Sequence, residues 1–425
     1  MPEHVFTGFG FGPIQGGLFA KEAFQSGNFS GLAVAEIDAE LVDAVRSNGG
    51  SYYVNVARSD GIESLRIDKV EMLNPTDAKD RGALIEVLSQ STEMATCLPS
   101  VNFYESGGPG SVASLIAEGL KKSHAGAAII YAAENNNHAA EILQDAVLRR
   151  AGVSLPKGVQ FLNTVIGKMS RVVTDSSEIA KLKLKTVAPG IERAFLVEQF
   201  NRILVSRAQI AGLRPGIDVF IEKDDLLPFE EAKLYGHNAI HSVLGFIGAV
   251  MGVTSMTDLR DHDSVMQIGR DAFLQESGAA LVRKYSHLDD ELFTQAGFTA
   301  YAEDLLERMT NPYLGDTVAR VTRDIVRKLE IDGRIFGAMQ LALEYGIEPR
   351  NLAVGALAGL AVLIEQAEQY GLPEDMRFGD WRRLDAAQLG RFLKWLWKDQ
   401  TCKYVPQFTD CIRKAVGRLD ALVAE

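Results

Sequence analysis

Cysteine is scarce in this chain of 425 residues, and the few cysteines present are poorly placed to bond to one another or to a metal. Cys97, Cys402 and Cys411 are odd in number and show no CxxC pair and no histidine at ligand spacing. We therefore expect neither a disulfide framework nor structural zinc, and a reducing cytoplasm fits best. A catalytic zinc would need about three converging ligands. His237 and His241, four residues apart, could chelate a metal, but we predict none.

Long apolar runs are also missing. The longest, residues 352–364, falls short of the ~20 residues that cross a bilayer, so we predict a buried helix there and no membrane span. The N-terminal residues show no basic region, long apolar stretch or cleavage site of a signal peptide. These absences predict a cytoplasmic protein.

Positive charge is in deficit, with 44 Lys and Arg against 56 Asp and Glu and a net charge of -12. Such a chain repels nucleic acid and anionic membrane surfaces, so we predict neither as a partner. A small anionic substrate would have to meet a local basic patch.

Two patterns divide the chain. Up to residue 224, short apolar runs alternate with helical stretches, which is typical of an α/β domain with a parallel, doubly wound sheet. The predicted strands carry the runs VFTGFG, LAVAEI, YYVNVA, EMATCL, AAIIYAA and VQFLNTVI. From residue 225, apolar spacing near 3.6 predicts long helices, including residues 229–253 and 317–329. We predict two domains, residues 1–224 and a mostly α-helical domain of residues 225–425.

A glycine-rich turn follows the first predicted strand, in the segment VFTGFGFGPIQGG of residues 5–17. Glycines here would bring backbone N–H groups against a pyrophosphate at a helix N-terminus. Gln15 stands where GxGxxG has its third glycine, and a merely structural strand-to-helix turn explains the pattern equally well. The predicted cofactor contacts are Gly10, Gly12, Pro13, Ile14 and Gln15.

An acid follows the second predicted strand about 20 residues later. Glu36 is placed to accept hydrogen bonds from the adenosine ribose hydroxyls, and its charge would repel a 2′-phosphate, which favours NAD over NADP. Asp38 takes this role if the strand ends later, and a solvated acid is the alternative for Glu36.

The segment EEAKLYGHNAIHSVLGFIGAV places four polar side chains on one predicted helix face. At about 100° per residue, Lys233, His237, His241 and Asn238 span roughly 140°. A lysine with a lowered pKa could accept a hydroxyl proton, while Asn and His donors could hold a developing oxyanion. A helix whose polar residues simply line a surface has the same spacing.

Lys233, Asn238 and His241 form a K-x4-N-x2-H pattern, which resembles the signature of the polyol-specific long-chain dehydrogenases, the family of mannitol dehydrogenases and mannitol-1-phosphate 5-dehydrogenases. Ordered similarities span residues 9 to about 337: FGFGPIQGG in the glycine turn, AENNN at 133–137, VEQF at 197–200, and the run from NPYL to RKL within 311–337. The last run is most similar to the mannitol-1-phosphate branch. The chain departs from the family at Gln15, at Gln199 and in IGKMSRVV at 166–173.

The resemblance implies an N-terminal Rossmann-like domain, a helical C-terminal domain and zinc-free, NAD-dependent oxidation of a polyol or its phosphate. Lys233 would be the general base, Asn238 and His241 would orient the substrate and hold the oxyanion, and Asn135 would add an oxyanion contact. For Asn135, a polar loop and a register error of one residue remain as alternatives.

Three arginines could form a basic stripe. Arg320, Arg323 and Arg327 are three and four residues apart, so on one helix they would share a face that could hold a phosphate or polyol hydroxyls. Pairing with neighbouring acids such as Asp316 explains the stripe equally well. We also count His237 among the candidate substrate contacts.

Two other functions stay open. A β-hydroxyacid dehydrogenase also joins a Rossmann domain to helices that bear Lys and Asn. A dinucleotide-sensing protein could keep the fold without catalysis. The sequence predicts no oligomeric state.

Overall fold

The computed structural model describes residues 4–123, 125–152, 154, 156–398 and 400–425. The chain forms two compact units, Met1–Leu227 and Pro228–Glu425, which we call the N-terminal unit and the helical unit.

The N-terminal unit carries all the strands found in the described part of the chain. They are β1 (His4–Phe9), β2 (Phe29–Ala35), β3 (Tyr52–Ala57), β4 (Ile62–Ile67), β5 (Val70–Leu73), β6 (Glu93–Thr96), β7 (Ala128–Ala132), β8 (Val159–Ile166), β9 (Ser170–Val173), β10 (Ala194–Glu198), β11 (Ile203–Ser206) and β12 (Phe220–Lys223).

The main sheet has the strand order β12-β11-β8-β7-β6-β1-β2-β5. Its parallel part, β5-β2-β1-β6-β7-β8, is the doubly wound order in which the chain first winds outward from β1 to β5 and then from β6 to β8. The order reverses between β1 and β6. At such a switch point the loops at the carboxyl ends of neighbouring strands diverge and leave a crevice. This part confirms the predicted Rossmann-like α/β fold.

One predicted strand belongs elsewhere. YYVNVA is β3, and it lies in a second sheet of order β4-β3-β10-β9 instead of the parallel sheet. The third parallel strand is β5, a four-residue segment with one exposed side chain. Its short run offers too little apolar pattern to be recognised.

The second sheet fixes the helix that follows the glycine turn. The Tyr52 hydroxyl on β3 donates to the Gly16 carbonyl over 2.7 Å. A Cβ on Gly17 would lie 2.5 Å from Val197 Cγ1 on β10. Glycine at position 17 is therefore needed for close packing of helix on sheet.

The α-helices of the N-terminal unit cover the main sheet, which is buried on both faces. They are α1 (Ala20–Ser26), α2 (Ala39–Ser47), α3 (Ala78–Gln90), α4 (Val112–Lys121), α5 (Ala139–Ala151) and α6 (Ser176–Lys181), together with a π-helical segment at Gln15–Phe19 and 3-10 turns at Val101–Phe103 and Gly108–Gly110.

The helical unit contains α7 (Leu227–Glu231, which begins at the last residue of the N-terminal unit), α8 (Ala239–Val250), α9 (Asp263–Asp271), α10 (Gly278–Tyr285), α11 (Gln295–Met309), α12 (Val318–Thr322), α13 (Ile325–Lys328), α14 (Arg334–Glu344), α15 (Arg350–Glu365), α16 (Ala386–Leu396) and α17 (Val405–Ala424). Its π-helical segments are Ala232–Asn238 and Ala272–Ser277, and its 3-10 turns are Thr257–Asp261, Ser286–Leu288, Glu291–Phe293, Glu374–Met376 and Trp381–Arg383.

Helix α15 forms the centre of this unit, and nearly all its side chains are buried against α8 and α17. A Cβ on Gly355 would lie 2.5 Å from Val243 Cγ2, so α15 and α8 approach closely where glycine permits it. Among the described residues, no helix is both long enough and apolar enough to cross a membrane.

The prediction of one helix over residues 317–329 was wrong. Helix α12 ends at Thr322, Arg323 is extended, and Asp324 adopts φ 56, ψ 38 in the left-handed region. Lys328 stabilises this break because its Nζ donates to the carbonyls of Val321, over 2.6 Å, and Arg323. Arg320, Arg323 and Arg327 therefore do not form a stripe on one helix.

Candidate active site

The glycine turn lies at the switch point of the main sheet. Gly10 has φ +78, and a Cβ there would stand 2.9 Å from the Cys97 carbonyl oxygen, so only glycine fits without strain. Gly12 differs, because a Cβ at that position would meet nothing within 4 Å. Open space beside Gly12, with a helix starting just after it, fits an anionic ligand that approaches the backbone closely.

Glu36 directly follows β2 and folds back onto this turn. Its Oε2 accepts from the Phe11 amide over 2.6 Å, and its Oε1 accepts from the Asp38 amide over 2.9 Å. A carboxylate has about four acceptor positions, so both oxygens retain capacity for ribose hydroxyls. Asp38 is otherwise engaged: it caps α2 through the Leu41 amide, and its hydrogen bond with Arg193 lowers its pKa. Glu36 is thus the better placed of the two acids.

Gln15 does not point out of the turn. Its side chain is fully buried over Gly8, where a Cβ would come within 2.1 Å of Gln15 Nε2. A ligand at the start of the helix would therefore meet the backbone of Gln15 and not its side chain.

Asn135 lies in the loop after β7, in the N-terminal unit. Its neighbour Glu134 is buried and bonds to the loop after β6: Thr96 donates to Oε2 and the Leu98 amide to Oε1, each over 2.8 Å. Sequence reasoning assigned no role to Glu134, although the acid-Asn pair in AENNN was a visible signal.

Lys233 and Asn238 lie in a π-helical segment. Helix α7, this segment and α8 run on without interruption, and the Ala239 amide reaches the Leu234 carbonyl five residues back. Phe273 packs against Gly236, where a Cβ would lie 2.8 Å from the ring. A π turn holds more residues than an α turn, so a residue five positions along returns to nearly the same face. The segment therefore brings Asn238 closer in angle to Lys233 than an α-helical projection indicates.

Lys233 has the electrostatic setting of a base. Burial and, after it, the Arg334 guanidinium lower its pKa to about 8, against the opposing influence of the Glu230 carboxylate. An amine with this pKa is partly neutral near pH 8 and can accept a proton there.

His241 is buried beside an acid that sequence reasoning treated only as a partner of the arginine stripe. Its Nε2 lies 3.4 Å from Asp316 Oδ2. Arg320 holds the same carboxylate through two bonds, Nε to Oδ1 over 2.6 Å and Nη2 to Oδ2 over 2.7 Å. Burial lowers the pKa of His241, against the influence of Asp316. Burial would raise the pKa of Asp316, but the nearby His241 imidazole and the hydrogen bonds from Arg320 hold it well below its usual range.

The remaining basic residues repel one another. Burial lowers the pKa of Arg334 to about 10, with Arg327 adding to the shift, and burial together with Arg334 lowers that of Lys328 to about 7. Arg334 Nη1 lies 3.3 Å from Ser242 Oγ, and that hydroxyl donates to the Asn238 carbonyl over 2.8 Å. The Arg334 side chain thus contacts Ser242, which lies one helical turn after Asn238. Arg323 is exposed at the helix break.

His237 is buried, and burial followed by the nearby His241 lowers its pKa well below the usual range. The centroids of the two imidazole rings are 6.2 Å apart. Within the described ranges, no three His, Cys, Asp or Glu side chains stand together as ligands for a metal ion.

Comparison with known proteins identifies relatives of this chain. Residues 225–391 match the mannitol dehydrogenase C-terminal domain family. A mannitol-1-phosphate 5-dehydrogenase of Brevibacillus brevis is 28% identical over 358 residues, which cover 83% of this chain and 84% of that protein. A protein of the same name from Buchnera aphidicola is 26% identical over 358 residues, covering 82% and 84%.

Two solved structures share the fold. Mannitol 2-dehydrogenase of Pseudomonas fluorescens, in a ternary complex with NAD and D-mannitol, has a TM-score of 0.67 at 16% identity and covers 99% of this chain and 94% of that one. A D-sorbitol dehydrogenase in substrate-free form has a TM-score of 0.75 at 14% identity, covering 99% and 95%. The sequence matches confirm the predicted resemblance to mannitol dehydrogenases and mannitol-1-phosphate 5-dehydrogenases, and the two solved structures show the same fold.

Proposed function

We propose that this protein is an NAD-dependent, zinc-independent dehydrogenase that interconverts a polyol, or a polyol phosphate such as mannitol 1-phosphate, with the corresponding keto sugar. The observation that carries the proposal is Lys233, whose pKa of about 8 suits a general base, in a π-helical turn with Asn238. The relatives named mannitol-1-phosphate 5-dehydrogenase support this substrate class.

The residues of the glycine turn fit a dinucleotide. Gly10 keeps the turn tight, the open space beside Gly12 lets phosphate oxygens reach the backbone, and Glu36 is placed for ribose hydroxyls. NAD supplies the hydride acceptor when bound. The Glu36 carboxylate would repel a 2′-phosphate, which supports NAD over NADP.

In the oxidation, Lys233 takes the proton of the substrate hydroxyl as the C–H bond is broken and hydride leaves. Asn238 and His241 donate to the oxygen as it becomes a carbonyl, and the resemblance implies a further donor at Asn135. Asp316, fixed by Arg320, holds the His241 ring in place. Reduction of the keto sugar runs through the same groups in reverse, with protonated Lys233 as the acid.

Four arginines of the helical unit are candidates to bind a phosphorylated substrate. Arg320 is occupied by Asp316, and we assign it to orientation and to polyol hydroxyls. Arg334, Arg327 and Arg323 are better candidates for the phosphate, because Arg327 helps to lower the pKa of Arg334 and Arg334 helps to lower that of Lys328, with Asp324 opposing both shifts only in part. His237 is buried next to His241 and supports its position.

A substrate panel tests the proposal. The purified protein is assayed with free polyols and their phosphates, each with NAD and with NADP, and nicotinamide absorbance is followed. We expect turnover with NAD, strongest for a polyol phosphate. Turnover of β-hydroxyacids in place of polyols would contradict the proposal, as would NADH binding without turnover of any alcohol.

Arg334→Met tests the phosphate assignment. We expect KM for the phosphorylated substrate to rise about tenfold or more, and KM for the free polyol to change less, because a charge-assisted bond to phosphate is lost. The matched control is Arg391→Met, which changes an exposed arginine on α16. Equal effects on both substrates would remove Arg334 from the phosphate site.

A further inference from the structure

Glu134 is a buried acid that the proposed chemistry does not use. It is 5% exposed, and both carboxylate oxygens are engaged. Oε2 accepts from the hydroxyls of Thr96, over 2.8 Å, and Tyr104, while Oε1 accepts from the Leu98 amide over 2.8 Å. Burial raises the pKa of this carboxyl, and the three donors oppose the shift.

These bonds join two loops of the main sheet. Glu134 lies two residues beyond the end of β7, whereas Thr96 ends β6 and Leu98 and Tyr104 follow in the next loop. Tyr104 is 1% exposed, and its carbonyl accepts from the Ala113 amide over 2.9 Å. The loop after β6 is thus tied to Glu134 at one end and to α4 at the other.

The same loop, the one after β6, contacts the glycine turn. The Cys97 amide donates to the Phe9 carbonyl over 2.9 Å. The Cys97 carbonyl oxygen lies 2.9 Å from the position that a Cβ on Gly10 would take. A shift of Cys97 and Leu98 would therefore change the support of the turn.

On its C-terminal side, Glu134 begins the turn that contains Asn135. The Asn136 amide donates to the Glu134 carbonyl over 2.8 Å, which closes a tight turn around Asn135. The Asn136 side chain accepts from the His138 amide over 2.8 Å. Because the Glu134 side chain is held at both oxygens, this turn starts from a fixed point.

We propose that Glu134 is a positioning residue that couples the glycine turn to Asn135 by clamping the loop after β6 to the loop after β7. The inference rests on the proposed function for the role of Asn135, but its link to the glycine turn does not. A misplacement of about 1 Å at a reacting centre can cost about 100-fold in rate, so a residue that touches no substrate can still control turnover.

The test combines Glu134→Ala, Glu134→Gln and Tyr104→Phe with a double-mutant cycle on Asn135. Glu134→Ala should lower kcat by about 10- to 100-fold in the native background. In the Asn135→Ala background it should lower kcat by less than about threefold, because its effect passes through Asn135. Additive losses in the two backgrounds would overturn the coupling to Asn135.

NADH binding, measured by fluorescence, tests the coupling of Glu134 to the glycine turn without any turnover. Glu134→Ala should weaken NADH binding about fivefold or more, since the turn is less preorganised, while Asn135→Ala leaves it unchanged. Unchanged NADH affinity would overturn the coupling to the turn. Loss of NADH affinity in a protein that oxidises no polyol would instead reject the proposed function and keep this coupling.

Conservative variants separate positioning from folding. Glu134→Gln keeps the shape and one acceptor oxygen, and Tyr104→Phe removes a single donor, so both should fold and show smaller losses in the same direction. Glu118→Ala, an exposed acid on α4, should match the native protein. Native kcat and native NADH affinity in both conservative variants would overturn the proposal even if Glu134→Ala fails to fold.

Discussion

Lys233 illustrates how the surroundings of a side chain change its proton affinity. An exposed lysine is protonated at neutral pH and cannot act as a base. Burial and the charge of Arg334 favour the neutral amine, so the same residue type becomes a proton acceptor near pH 8.

The pH dependence of oxidation tests this assignment. The active form of Lys233 is the neutral one, so kcat should rise with pH through an ionisation near 8 and level off above it. Lys233→Ala should lose about three orders of magnitude or more in kcat. Lys394→Ala on α16 is the control and should keep the native profile. An unaltered pH profile in Lys233→Ala would show that another group is the base.

In the proposed function, the choice between NAD and NADP depends on Glu36. Glu36→Ser removes the carboxylate that would repel a 2′-phosphate, so the NAD to NADP ratio of kcat/KM should fall about tenfold or more. Glu40→Ser, an exposed acid in the first turn of α2, should leave the ratio unchanged. The measurement is steady-state kinetics with both cofactors, and an unchanged ratio in Glu36→Ser would remove this residue from the ribose site.

The site residues show which roles a sequence can suggest. Lys233, Asn238 and His241 were predicted from spacing and resemblance, because close neighbours on a helix face one another wherever the helix goes. The partnership of Asp316 with His241 was not predicted, since 75 positions separate them and only tertiary packing brings them within 3.4 Å. Arg334 and Ser242 meet for the same reason.

At the scale of elements, two of the departures from regular helix in the helical unit lie near the candidate site residues. The π-helical segment Ala232–Asn238 lies in a stretch that apolar spacing predicted as ordinary helix, and the helix break at Arg323 and Asp324 lies in a segment with good helical spacing. Neither has a local sequence signal. The first accompanies close packing of Phe273 on Gly236, and the second is held by the buried ammonium of Lys328.

Helix α15 depends on a cap from outside itself. Glu276 Oε1 accepts from the Asn351 amide over 2.7 Å, and Oε2 accepts from the Leu352 amide over 2.9 Å. Glu276→Ala should lower the free energy of unfolding by about 2 kcal/mol, because buried amides at the start of α15 lose their acceptors. Glu365→Ala, at the exposed end of the same helix, should change it by less than about 0.5 kcal/mol. Thermal melts compare the two, and equal midpoints would refute the cap.

Protonation of Glu276 adds a pH signature. Burial raises its pKa to about 7, so the folded protein binds a proton there more tightly than the unfolded chain does. The part of its stability contribution that comes from this proton binding is therefore complete below the unfolded pKa near 4.5 and is lost as pH rises through about 7. Glu276→Gln, which has no such ionisation, should flatten this part of the melting midpoint against pH. A slope equal to that of the native protein would contradict the raised pKa.

For the whole molecule, the strand order decides where the cofactor turn lies. β1 and β6 are neighbours in the sheet, although 83 residues separate the end of β1 from the start of β6. The reversal of winding between these two strands leaves the crevice at Gly12. The alternation of strands and helices predicted this doubly wound sheet. It did not predict the second sheet, because β3 and β10 have the same apolar character as strands of the first.

The proposed function includes metal independence, which solution chemistry can test on the whole protein. The proposed mechanism places the proton on Lys233 and the oxyanion on Asn and His donors, so no step requires a Lewis acid. Incubation with a strong chelator, followed by dialysis, should leave kcat within about twofold of the untreated enzyme, whereas a zinc enzyme loses activity. Restoration of lost activity by added zinc would contradict the mechanism.

The sequence alone determined the fold class, the glycine turn with Glu36, and the identity of the lysine, asparagine and histidine on one helix. Each depends on neighbours within a few tens of residues, and periodicity and spacing record such relations directly. Only the tertiary structure decided the lowered pKa of Lys233, the pairing of His241 with Asp316, the break between α12 and α13 and the clamp at Glu134. These arise from burial and from contacts between distant segments, which no local pattern encodes.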